Sequence, residues 1–273
     1  MPNLAPVPAS LRNAAHDLLA CLRFFSRLPL PASPFDQNPH AAPDLSRLAR
    51  MVPIAGAVIA AIGALALWLG HALGLPPLVC ATLAISVLVL VAGALHEDGL
   101  ADVADGFGGG KTRERKLEIM RDSRIGVYGA AALALSLVLR IAALSALLEH
   151  SLAAAAAGLI LAAAASRAFG LLPLALLPPA RADGLGASAG PLEASSALAA
   201  GMTALIVAGV LGLSALGLGR AILALALALA AAIAMTMVAR RQIGGQTGDV
   251  IGATQQFAEI ACLCGLLIGR SAA

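Results

Sequence analysis

HEDGLADVADGFGGGKTRERKLEIMRDSRIGVYG, residues 96–129, holds seven of the fifteen acidic residues of this 273-residue chain and six of its eighteen Lys and Arg. The rest is very different. The chain is 60% hydrophobic and only 12% charged, with a mean hydropathy of +0.90, whereas soluble domains carry about 25% charged residues. A soluble core of this length could not hide so much apolar surface, so lipid is the expected solvent. Residues 96–128 then read as a charged loop between membrane spans, and the chemistry is expected where the charge is.

Working outward from this loop, runs of about 20 apolar residues mark spans. Seven are expected: 52–70, 77–95, 129–148, 152–177, 197–218, 221–239 and 250–269. The third and fourth are joined by a tight turn near Glu149–Ser151, and the fifth and sixth by one near Gly219–Arg220. The last is the weakest, because Thr254, Gln255, Gln256 and Glu259 interrupt it. The fold expected is an all-α polytopic membrane bundle, with residues 1–273 forming a single integral-membrane catalytic domain. The first twenty residues lack a basic segment followed by a long apolar run and do not read as a cleaved signal peptide.

Basic residues set the expected orientation. With the N-terminus in the cytoplasm, fourteen of the eighteen Lys and Arg fall on the inner side. Only Arg220 and Arg270 fall outside, and Arg140 and Arg167 lie within spans. Loops 96–128, 178–196 and 240–249 then share the cytoplasmic face with the N-terminal region. A cytoplasm-facing site in the cell inner membrane is the expectation.

If His96–Asp105 is helical and continues the second span, Asp98, Asp102 and Asp105 lie at i, i+4 and i+7, on one stripe, with Glu97 on its flank. Clustered carboxylates repel, and a divalent cation resolves the conflict. Oxygen-only donors favour Mg²⁺ or Mn²⁺ over zinc, so Glu97, Asp98, Asp102 and Asp105 are the expected metal ligands. Gly106–Gly110 (with Phe107 inside it) reads either as a hinge or as a weak phosphate cradle; it lacks the P-loop pattern. Lys111, Arg113, Arg115 and Lys116 are expected to face lipid headgroups. Asp122 and Arg124 are expected to fold back to the stripe, as base or ligand and as phosphate contact; the alternative is that they simply pair with each other at the membrane surface. Asp249, in the turn Thr247–Gly248–Asp249, is expected on the same face. Metal-bridged phosphates beside a membrane point to phosphoryl or nucleotidyl transfer.

The net charge of +3 and the lack of an aromatic-rich basic stretch argue against nucleic-acid binding. Cys21, Cys80, Cys262 and Cys264 lie in or beside apolar runs and read as small hydrophobes. Arg140, Arg167 and Glu259 could suggest transport, but a site in one surface loop differs from the midplane sites of transporters. Contacts between helices or with lipid headgroups are the better reading of these three.

Residues 96–129, together with FFSRLPLP (Phe24–Pro31) and GGQTGDVIGATQQFAEI (Gly244–Ile260), resemble the signature of the cobalamin synthase family, the adenosylcobinamide-GDP ribazoletransferases. The resemblance covers nearly the whole chain in order. It implies a multi-pass, magnesium-dependent membrane enzyme that joins adenosylcobinamide-GDP to α-ribazole or its 5′-phosphate and releases GMP. The site residues expected within the matched stretches are His96, Asp122 and Arg124 for catalysis and Arg27, Gly108, Gly109, Ser123, Asp249 and Gln255 for substrate. The lipid bilayer is the expected surrounding, and association with a second copy or with other cobalamin-assembly enzymes is left open. The sequence DVADG at Asp102–Gly106 also resembles the CDP-alcohol phosphotransferases. A membrane enzyme of that type is the alternative, although the rest of that family's pattern does not follow here.

Overall fold

The computed structural model describes residues 9–31, 44–188 and 190–269, without the side chains of 9–12 and 185. Thirteen α-helices occur among the described residues. The first five are α1 (Ala9–Phe25), α2 (Leu45–Leu48), α3 (Val52–Ala72), α4 (Pro77–Ala92) and α5 (Leu95–Gly109). Next come α6 (Arg113–Ile119), α7 (Val127–His150), α8 (Leu152–Gly170), α9 (Leu172–Leu176) and α10 (Leu185–Ser188). The last three are α11 (Ala194–Leu211), α12 (Leu218–Ile243) and α13 (Gly248–Leu267). The only extended pairing among the described residues is one parallel bridge, Pro179 to Gln246.

Six helical segments are long and apolar enough to cross a membrane, and a seventh span exists if the bent pair α4–α5 counts as one. The expected all-α bundle is therefore present, with six or seven spans and one correction. The second span does not continue into the acidic stripe. Gly93 and Ala94 both take left-handed backbone conformations, φ 65° and 55°, which ends α4. Helix α5 then departs at 88°. With α4 crossing the bilayer, α5 runs along the membrane face.

Local signals explain the other boundaries. Pro53 and Pro77 stand in the first turns of α3 and α4, where a missing N–H costs nothing. The Ser151 and Thr247 hydroxyls cap α8 and α13 by accepting from the amides of Ala154 and Val250. Gly244, at φ 70°, closes α12.

The core sits around α8 and α13, the most enclosed spans. Helix α13 packs against α12, α8, α5 and α7. It is the span the sequence marks as weakest, and burial accounts for that. Thr254, Gln255, Gln256 and Glu259 point into protein rather than lipid. Helix α11, by contrast, presents Leu198, Met202, Ile206 and Val210 outward, as a lipid-facing span should. All four cysteines are free; Cys21, Cys80 and Cys262 are buried and Cys264 is half-buried.

Candidate active site

The stripe forms as the spacing requires. Asp98, Asp102 and Asp105 lie on α5, with Asp98 exposed and the other two half-buried. The N-terminus of α13 comes against it. A Cβ at Gly99 would stand 2.8 Å from the Asp249 carbonyl oxygen, so only glycine permits this approach, and it brings Asp249 to the same cluster. The consequence is electrostatic. Burial, then the charges of Asp98, Asp249 and Asp105, push the Asp102 carboxyl up to about 7, against a smaller opposing effect of Arg181. Asp249 is held by Arg181 Nη2 at 3.4 Å and by the Thr247 hydroxyl, which donates at 3.1 Å. Among the described residues no three His, Cys, Asp or Glu side chains stand together as a ready ligand set. The donor chemistry nevertheless suits a hard dication: oxygen donors only, with one carboxyl that burial and then its acidic neighbours push up to about 7.

Asp105 has a second task. Its carboxylate accepts from the amides of Gly126 at 2.7 Å and Gly129 at 2.9 Å, tying α5 to the start of α7. A Cβ on either glycine would strike that carboxylate, which accounts for the spacing of the two glycines in GVYG.

Glu97 is not on this stripe. Its side chain turns into the bundle, where Oε1 meets Arg140 Nη2 at 2.9 Å and accepts from Gln256 Nε2 at 3.2 Å. Arg140 also reaches Glu259 at 3.5 Å. The expected reading of Arg140 and Glu259 as contacts between helices holds, and Glu97 joins them instead of the metal group. Gln255, expected to touch substrate, is enclosed in the same network. It donates to Ser166 Oγ at 2.8 Å and to Glu259 Oε2 at 2.5 Å. His96, expected to be catalytic, is buried with its ring stacked on Phe25, centroids 6.0 Å apart. On α5 the 3.6-residue period decides the outcome: positions 96 and 97 face the bundle while 98, 102 and 105 face out.

The glycine run is neither hinge nor loop cradle. Gly106–Gly109 complete α5, Gly106 lies under Met120, and Gly108 lies under the Tyr128 ring. Gly109 lines a surface cleft of about 430 Å³ with Asp105, Asp122, Arg124 and Tyr128. Asp122 and Arg124 do lie beside the stripe, but they pair with each other. Arg124 Nη2 reaches Asp122 Oδ2 at 2.6 Å, and its Nε reaches Oδ1 at 3.0 Å. These bonds hold the Asp122 carboxyl at about 2. So acidic a group is a poor proton acceptor at neutral pH, so the base role does not fit the paired state. Ser123 is exposed in the same turn. Arg27 is exposed and lies across Gly93 at the α4–α5 elbow, its backbone N–H donating to Val91 at 2.7 Å.

The three polar loops meet at this end of the bundle. Arg113 Nε donates to the Ile243 carbonyl at 2.8 Å and its Nη2 to the Ala180 carbonyl at 2.5 Å. Lys116 bonds Gln242, and Arg121 pairs with Asp183 at 2.5 Å. Arg113 and Lys116 are thus clamps between loops rather than headgroup contacts. Sequence reasoning missed Arg181 and Tyr128. Arg181 is the lone base of loop 178–196, and Tyr128 is the only tyrosine of the chain; both signals were available.

A family model described as cobalamin-5-phosphate synthase matches residues 17–267. The chain belongs to this family. It is 54% identical over 252 residues to the adenosylcobinamide-GDP ribazoletransferase of Azorhizobium caulinodans, covering 92% of this chain and 95% of the relative. The protein of that name from Xanthobacter autotrophicus is 51% identical over 265 residues, 94% of this chain and 98% of its own. That from Mesorhizobium japonicum is 47% identical, covering 96% of each. No solved structure matches. These relatives support the cobalamin synthase reading and not the CDP-alcohol phosphotransferase alternative.

Proposed function

We propose that this protein transfers the adenosylcobinamide phosphate moiety of adenosylcobinamide-GDP to α-ribazole or its 5′-phosphate, releasing GMP. Family membership over residues 17–267 supports the activity, and the coupled carboxylates around Asp102 carry the assignment of its site. The attacking ribazole hydroxyl forms a new bond to the cobinamide-side phosphorus. The bond from that phosphorus to the bridging oxygen breaks, the GMP half keeps that oxygen, and the hydroxyl proton passes to solvent.

Asp98, Asp102 and Asp249 would hold Mg²⁺, with Asp105 behind them. A bound Mg²⁺ supplies charge neutralisation at the pyrophosphate oxygens. Arg181 restrains Asp249, Asp105 fixes α5 against α7, and the clamps from Arg113 and Lys116 hold the three loops around the cluster. Purified protein given adenosylcobinamide-GDP, α-ribazole and Mg²⁺ should yield the joined product and GMP in equal amounts by mass spectrometry. Turnover of CDP-diacylglycerol instead would overturn the reading.

The cell inner membrane, with the site facing the cytoplasm, is the location this reading takes, on the fourteen-to-two distribution of basic residues. Single cysteines placed at Lys111 and Leu75 in a cysteine-free background test it with an impermeant thiol reagent on intact cells. Labelling at Leu75 alone is expected; labelling at Lys111 alone would invert the orientation.

A further inference from the structure

The cleft beside the stripe has a lining that its ion pairs alone do not explain. Tyr128, in the first turn of α7, forms one wall with Val127 and Ile119. A Cβ at Gly108 would lie 2.7, 2.8 and 2.9 Å from Cγ, Cδ2 and Cδ1 of that ring. Three nearly equal distances put Gly108 over the ring face rather than at its edge. One face of the ring is thus backed by glycine, while the residue remains 58% exposed. At the rim, Arg115 pairs with Glu118 at 2.7 Å and Arg124 with Asp122 at 2.6 Å. Exposed pairs of this kind contribute little to stability, so either guanidinium can exchange its carboxylate for a phosphate. At about 430 Å³ the space lies in the lower part of the range for small-molecule sites. It suits a nucleoside, not a whole corrinoid.

We propose that this cleft is a stacking subsite for the planar base of a nucleotide substrate, with the open face of Tyr128 as platform and Arg115 and Arg124 at the rim for its phosphate. The inference rests on the transfer reaction above, whose two substrates each carry such a base: guanine on the donor, a benzimidazole on the acceptor. An aromatic platform accepts either, because every base has a π-face.

The test uses the full chain in lipid nanodiscs. Tyr128→Ala should raise KM for one substrate roughly tenfold, with kcat changed less than about threefold, and Tyr128→Phe should behave as wild type. A rise confined to α-ribazole assigns the benzimidazole; a rise confined to adenosylcobinamide-GDP, with weaker inhibition by GMP, assigns the guanine. Unchanged KM for both substrates overturns the proposal and leaves Tyr128 as a membrane-interface residue. If Tyr128→Ala does not fold, Tyr128→Trp in a Trp68→Phe background gives a direct readout. Its fluorescence should be quenched by GMP or by α-ribazole 5′-phosphate, and no quenching by either overturns the subsite. Quenching without turnover by the wild type would instead refute the transfer reading while the subsite stands.

Discussion

Glu97 and Asp98 are adjacent carboxylates on one helix with opposite surroundings. Glu97 lies in a buried network with Arg140, Glu259, Gln255 and Gln256, reaching across α5, α7 and α13. Asp98 faces outward into a group of carboxylates whose mutual repulsion is only partly relieved by Arg181. In the first region the buried Arg140 and Arg167 balance the charges of Glu97 and Glu259, and each ion depends on the others to offset its desolvation. In the second the negative charge is left in excess, an arrangement that destabilises the protein alone but attracts a cation. One network organises the bundle, and the other is available for chemistry.

The largest expected effect separates the two. Asp102→Asn removes one member of the outward group without unbalancing the buried one. Turnover should fall by at least about two orders of magnitude, while the melting temperature in detergent should hold or rise. Retention of near-normal turnover would remove Asp102 from the site. Excess EDTA on the wild type should have the same effect on turnover.

Next in size, Arg140→Met strands Glu97 and Glu259 in the bundle. Removing one partner of a buried pair costs about 3–5 kcal/mol, enough to unfold a marginal protein. Adding Glu97→Gln and Glu259→Gln should recover part of the loss, since the triple variant leaves only the buried Arg167 without a counter-charge there. A triple variant no more stable than Arg140→Met would show that the network matters through packing instead of charge balance.

The smallest effect is a dependence on pH. The Asp102 carboxyl is raised from 3.8 to about 7, so the folded state favours its protonated form. That contribution to stability is fully present below about pH 4 and is lost as pH rises through 7. With chelator present, the melting temperature should decline over this window by more in the wild type than in Asp102→Asn. Saturating Mg²⁺ should flatten the decline. Equal slopes in both proteins would place the pH dependence elsewhere.

Much of this was legible in the chain. Apolar run lengths gave the spans, because a bilayer demands about twenty apolar residues of any helix crossing it. The 98, 102, 105 spacing gave the stripe, because helical periodicity is local. The ends of the elbow were not legible. Gly93 is an ordinary helix stop, but that the chain turns through 88° follows from Ala94 also taking a left-handed conformation and from the packing of α5 on α13. Likewise Gly106–Gly110 offered flexibility by composition, yet Gly106–Gly109 lie in a helix, because Met120 and Tyr128 occupy the room that side chains would have taken.

By itself, the sequence determined the membrane fold, the gathering of three polar loops and the identity of three outward carboxylates, since each depends on composition or on contacts a few residues apart. Only the tertiary structure decided that Asp249 joins those carboxylates and that Glu97, Gln255 and His96 face inward. These depend on which helices meet, over separations of up to 159 residues for Glu97 and Gln256. Side-chain environment is set by such neighbours, and a periodic pattern says which residues share a face without saying what that face will meet.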